Sequence, residues 1–138
     1  MGISLRNVVL DTTDVPRLAE FYRELLGWSY AESADDPDDP DDPDGLGWRT
    51  LVGPNGMRIA FQRTESVTPT TWPDAAVPQQ LHLDFLVDSV EELEEQHRRA
   101  TELGAVVRLD RMDDPEEPLR VFTDPAGHTL CLFAWRGQ

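Results

Sequence analysis

Two ionisable side chains interrupt the apolar run Leu81-His82-Leu83-Asp84-Phe85-Leu86-Val87. In an extended strand, side chains two apart share a face, so His82 and Asp84 would stand together. An imidazole beside a carboxylate is a common way to orient a general acid or base. Asp84 would equally serve as an ion-pair partner for Arg58 or Arg120, and His82 as a satisfied core histidine. The single cysteine, Cys131, lies in a second apolar run, Thr129-Leu130-Cys131-Leu132-Phe133. It reads either as a small buried hydrophobe or as a nucleophile that needs a neighbouring base. His82 would be that base if the two strands ran side by side. Trp28, Trp48, Trp72 and Trp135 all fit core packing, and Trp48, Trp72 and Trp135 also fit the walls of a pocket for a flat or apolar ligand. His97 and His128 read as packing or surface residues.

The elements that must carry these residues follow from hydrophobic period and turn chemistry. Ile3 to Leu10 reads as a first strand. Asp14 is a helix N-cap with Pro16 in the first turn, and Leu18, Phe21, Tyr22 and Leu25 form one apolar face before Gly27 stops the helix. Strands are predicted over 28–32, 48–52 and 57–63, with a turn at Gly53-Pro54-Asn55-Gly56. Residues 65–79 hold three prolines and no sustained period, and read as a linker. A strand over 81–87 follows, then a second helix opened by a Ser89/Glu92 capping box and ended at Gly104. Strands over 105–109, 119–123 and 128–135 close the chain, the last two separated by the turn Asp124-Pro125-Ala126-Gly127.

The pattern is βαβββ, linker, βαβββ. Asn7 to Asp14 lies over His82 to Ser89, Gly27 over Gly104, and the 53–56 turn over the 124–127 turn. A repeat this long is a duplicated supersecondary unit. One half alone covers one face of its sheet, whereas two halves can curl their sheets about a shared groove, where ligands usually sit.

Composition narrows the function. The chain has 138 residues and a formal net charge of −15. That charge repels phosphate backbones and anionic membranes, so neither nucleic acid nor membrane is an expected partner. Seven aspartates lie between Asp35 and Asp44, leaving about −8 elsewhere. Prolines interrupt this run too regularly for helix or strand, and no glutamate follows in register for a calcium-binding loop, so it reads as a solvated loop. No apolar run nears the roughly 20 residues of a membrane-spanning helix. With one cysteine and no recognisable secretory leader, a cytoplasmic location is expected.

Three stretches carry a family resemblance: Leu5 to Asp11 leading through Asp14 to Gly27, Leu81 to Asp88 leading to Leu103-Gly104-Ala105, and Asp124-Pro125-Ala126-Gly127-His128-Thr129-Leu130-Cys131-Leu132. The chain resembles the vicinal-oxygen-chelate superfamily, which groups glyoxalases, bleomycin resistance proteins and extradiol dioxygenases. It is most similar to the glyoxalase-like domain subgroup. The resemblance implies an α+β fold of tandem βαβββ modules forming a curled mixed sheet around a central groove. It implies one glyoxalase-like domain over 1–138, with halves at 3–64 and 80–135 and a linker at 65–79. Metal-using members hold a divalent cation with four His, Gln or Glu side chains, and the matching positions here are Asn7, Gln62, His82 and Cys131.

That set departs from the family pattern. Only Cys131, as a thiolate, would be negative, so no metal cofactor is expected; a divalent ion on His82, Gln62 and Cys131 is the alternative. Asn7, Gln62 and His82, with Trp48, Trp72 and Cys131, would instead line a pocket for a small organic molecule. The expected function is metal-free binding of such a ligand, as in drug-sequestering members. The alternative is a lyase or isomerase of the glyoxalase type, with an atypical metal site or with His82 and Asp84 as acid–base catalysts. An interaction module for a protein partner ranks last. Members of the superfamily often pair, so a homodimer is expected.

Overall fold

The computed structural model describes residues 2–31 and 44–134. Nearly all of the Asp/Pro run, and Trp135 at the end of the last predicted strand, lie outside the described residues. The chain divides into two compact units, Met1–Val67 and Thr68–Gln138. Each has the order βαβββ and is a four-stranded mixed sheet with one long helix.

The first unit comprises β1 (Val8–Thr12), α1 (Val15–Leu26), β2 (Ser29–Tyr30), β3 (Trp48–Val52) and β4 (Arg58–Arg63), with sheet order β1-β4-β3-β2. β1 runs parallel to β4, and β3 is antiparallel to both β4 and β2. β1 starts at Val8, not Ile3, because β4 offers it partners only from Ile59 to Arg63. Ile3 and Leu5, although apolar, are 97% and 85% exposed. Asp14 caps α1 by accepting from Arg17 N at 3.2 Å, and Gly27 ends it in the left-handed conformation. Val15, Leu18, Ala19, Phe21, Tyr22 and Leu25 are all buried. Tyr22 stacks on Phe61 of β4 at 5.7 Å and meets Phe21 edge-on at 4.9 Å. Each such buried ring contributes about 1.5–3 kcal/mol. The indole of Trp28 occupies the space where a side chain at Gly53 would sit, so Trp28 is core packing.

The second unit comprises β5 (His82–Leu86), α2 (Val90–Glu102), β6 (Val106–Arg111), β7 (Leu119–Thr123) and β8 (Thr129–Phe133), with sheet order β5-β8-β7-β6. β5 is parallel to β8, as β1 is to β4. Ser89 caps α2 by accepting from Glu92 N at 3.0 Å. Only Leu93 and Ala100 of α2 are buried, and His97 packs its ring against Phe122 at 5.5 Å. Arg120 on β7 is also buried and donates to Asp110 and Glu94, both at 3.0 Å. The register of β6 against β7 slips between Val107 and Leu109, so β6 bulges at Arg108 and runs on to Arg111.

Residues 68–79, read from the sequence as linker, form an anchored strap within this unit. Thr70 N donates to Gly127 O at 3.3 Å, and the Thr70 hydroxyl donates to Val77 O at 2.7 Å. Gly127 has φ 92°, and a Cβ there would lie 2.5 Å from that of Pro69. Glycine is needed twice over, for the backbone angle and for the close approach.

Candidate functional site

Strand alternation decides which residues can meet. In β7, Arg120 and Phe122 face α2 while Leu119 and Val121 face the other way. In β8, Thr129, Cys131 and Phe133 share the face of Leu119 and Val121, and β5 adds His82 level with Thr129 and Asp84 level with Cys131. Over this face lies a cavity of about 300 Å³. β6 lends it Leu109 and Arg111, the β6–β7 connection lends Glu117, and the strap lends Trp72 and Gln79. Every described residue lining it belongs to the second unit.

The cavity's chemistry is mixed. His82 Nε2 stands 3.4 Å from Asp84 Oδ1, with both side chains about half exposed. Thr129 is only 3% exposed, yet its hydroxyl has no hydrogen-bond partner; nor has the buried Gln79 Oε1. Unpaired buried polar atoms cost about 1–3 kcal/mol each; a third such atom, Arg120 Nη1, lies on the opposite face, so Thr129 and Gln79 are the two that belong to residues lining the cavity. The backbone N–H of Trp72 donates to Thr70 Oγ1 at 3.1 Å. Glu117 is placed by its own N–H, which donates to Asp114 Oδ1 at 3.0 Å.

Asp84 is not the partner of Arg120. Arg120 lies on the other face, held by Asp110 and Glu94, and Arg58 donates to Asn7. Cys131 is no activated thiol either. Burial first, then the charges of Asp84 and Glu117, push its pKa up to about 12. The residue level with it is Asp84, not His82, so the imidazole is not the group opposite the thiol.

The remaining candidates lie in the first unit and do not line this cavity. Arg58 Nε donates to Asn7 Oδ1 at 3.0 Å, and Trp48 Nε1 donates to Thr50 Oγ1 at 2.9 Å. Gln62 is exposed and level with Asp11. Laying Asn7 over His82 therefore brings Ala60, not Gln62, to the place of Cys131; Gln62 falls over Phe133.

A family model for the glyoxalase-like domain matches residues 7–133. The chain belongs to this family. No curated protein matches it. Solved structures share the fold of this glyoxalase-like protein. A glyoxalase/bleomycin resistance protein/dioxygenase family enzyme from Burkholderia phytofirmans PsJN is 19% identical with a TM-score of 0.73, over 96% of this chain and 99% of that one. The fosfomycin resistance protein FosX from Listeria monocytogenes is 21% identical with a TM-score of 0.69, over 98% and 95%. A mutant of that FosX, complexed with manganese(II) and a dihydroxypropylphosphonic acid, is 19% identical with a TM-score of 0.68, over 100% and 93%.

The donors of this glyoxalase-like protein do not fit such an ion. The carbonyl of Asn7 already accepts from a guanidinium, whose charge repels a metal. A thiol must lose its proton to ligate, and burial first, then the charges of Asp84 and Glu117, oppose that loss at Cys131. Among the described residues, no three His, Cys, Asp or Glu side chains gather to hold a metal.

Sequence reasoning missed Thr129, Gln79, Arg111, Glu117 and the apolar wall. Thr129 carried a usable signal, since it lies two residues before Cys131 on one strand face. Gln79 and Glu117 carried none, because only the tertiary path of their loops brings them to the cavity.

Proposed function

We propose that this glyoxalase-like protein binds a small organic molecule in the cavity of its second half, without the divalent ion used by metal-dependent members. The observation that carries the reading is a partly open cavity over the sheet face, where the Thr129 hydroxyl and the Gln79 carbonyl of the strap are buried and unpaired. Trp72 offers a flat wall, and His82 and Asp84 offer polar contacts at the edge. A thermal-shift and tryptophan-fluorescence screen of aromatic and antibiotic compounds, with and without EDTA, tests it. Ligands that bind equally after chelation support the reading. Binding that needs added manganese or zinc overturns it, as does a screen that finds no ligand.

The 3.4 Å approach of His82 to Asp84 favours a second reading, metal-free lyase or isomerase chemistry. His82 would move the proton and Asp84 would orient the ring. A His82→Ala protein that keeps full turnover on a substrate found by screening rules this out.

The proposal includes a homodimer, since members of this superfamily often pair; a monomeric mass by light scattering removes it. It places the protein in the cytoplasm, away from nucleic acids and membranes. The net charge of −15 supports the exclusion of nucleic acids and anionic membranes as partners. No helix among the described residues is long and apolar enough to cross a membrane.

A further inference from the structure

We infer that the second-half cavity selects a flat organic cation bearing N–H donors, of the amidinium or protonated amino-heteroaromatic kind, and discriminates against anions. The inference rests on the binding reading above and specifies the ligand class.

Hydrogen-bonding capacity comes first. Gln79 Oε1 is an acceptor only, and the Thr129 hydroxyl can accept as well as donate. Both are buried and unpaired beside the carboxylates of Asp84 and Glu117. A ligand rich in N–H groups satisfies all four; one rich in oxygen leaves the Gln79 carbonyl unpaired and meets two like charges.

Charge points the same way. Among the described residues, Arg111 is the one lining residue with a fixed positive charge. Its charge is shared with Asp114, whose carboxyl is held below the usual range first by the N–H groups of Glu117 and Glu116 and also by Arg111. Arg108, the next cation on β6, donates to Thr123 Oγ1 and does not line the cavity. Asp84 stands level with Cys131 on the floor and Glu117 lines the same cavity, so two carboxylates repel an anion there. An anion set against Cys131 would feel that same repulsion. A cation would gain from the field and from the face of Trp72, the best aromatic partner for a positive group. The overall charge of −15 adds steering toward cations at low salt.

Size limits the ligand. A cavity of about 300 Å³ is at the lower end of small-molecule sites, which suits one ring or a fused pair.

The test uses three probes of one shape: benzamidinium, neutral benzamide and anionic benzoate. Each is titrated into the full-length protein by calorimetry and by amide chemical shifts. Benzamidinium should bind about tenfold or more tighter than benzoate, with benzamide between them, and should weaken as salt rises. Asp84→Asn and Glu117→Gln, both changes at exposed side chains, should each weaken benzamidinium by about three- to tenfold and leave benzamide within about twofold. Benzoate binding as tightly as benzamidinium overturns the inference, as does benzamidinium binding that both variants leave unchanged. A neutral or anionic ligand found by screening and seated against Thr129 would overturn the inference alone and leave the binding reading standing. If neither the probes nor the screen perturb the cavity amides, the binding reading fails and the inference with it.

Discussion

In the first half, the sheet face turned away from the helix binds itself: Arg58 donates to Asn7, and Trp48 donates to Thr50. In the second half, the same face leaves Thr129 unpaired, and the strap that carries Trp72 leaves Gln79 Oε1 unpaired. The helices differ in the same sense. α1 buries six side chains and α2 only two. On the proposed reading, one duplicated framework serves two uses. The first half spends its polar groups on its own order, and the second keeps them for something else. A site is recognised here less by which residues it holds than by which of them lack a partner.

The largest expected effect tests the packing side of that contrast. Phe61→Ala empties the place beneath Tyr22 and should lower stability by about 3–5 kcal/mol, whereas Leu93→Ala under α2 should cost about 2–3 kcal/mol, both read from urea unfolding. Equal costs would break the claim that the first half is the better packed. Arg120→Ala comes next. Its two carboxylate partners are about half exposed and regain water when it goes, so the loss should be about 1–3 kcal/mol.

Cys131 sharpens the electrostatic side. A thiol titrating near 9 when unfolded and near 12 when folded binds its proton more tightly in the folded state. Stability is therefore full below about pH 9 and falls as pH rises toward 12. Tyr30, pushed up to about 12 by burial and by its bond to Glu20, adds to the same decline. Cys131→Ala should remove only the thiol's share, measured as the urea midpoint against pH. A thiol reagent should modify Cys131 slowly in the folded protein and quickly in urea. The smallest effects on stability carry the contrast itself. Asn7→Ala should cost about 1 kcal/mol with ligand binding unchanged, because it strips a bond the first half makes for its own sake. His82→Ala should shift stability by under about 0.5 kcal/mol yet weaken any ligand found.

Much of the framework was legible in the sequence because its signals are local. β3 and β7 run over the residues their composition marked, and Asp14, Gly27 and Ser89 cap helices as their chemistry dictates. The first strand was misplaced because apolar composition makes a strand only where another strand can pair with it, and residues 3–7 have none. The bulge at Arg108 lengthened β6 for a reason that lies in its pairing with β7. In the cavity, His82, Asp84 and Cys131 stood out by type, and Trp72 by size. The rest did not, since Gln79 and Glu117 reach the cavity through loops, and an unpaired hydroxyl such as that of Thr129 is a property of surroundings.

The contact between Gly127 and Pro69 gives a handle on that cavity from outside it. Gly127 lines no wall, yet it seats the strap that presents Trp72 and Gln79. Any side chain there must both strain the turn and lift the strap. For anyone engineering new specificity, position 127 is therefore a hinge pin: changing it alters the aperture while every residue that meets the ligand keeps its identity.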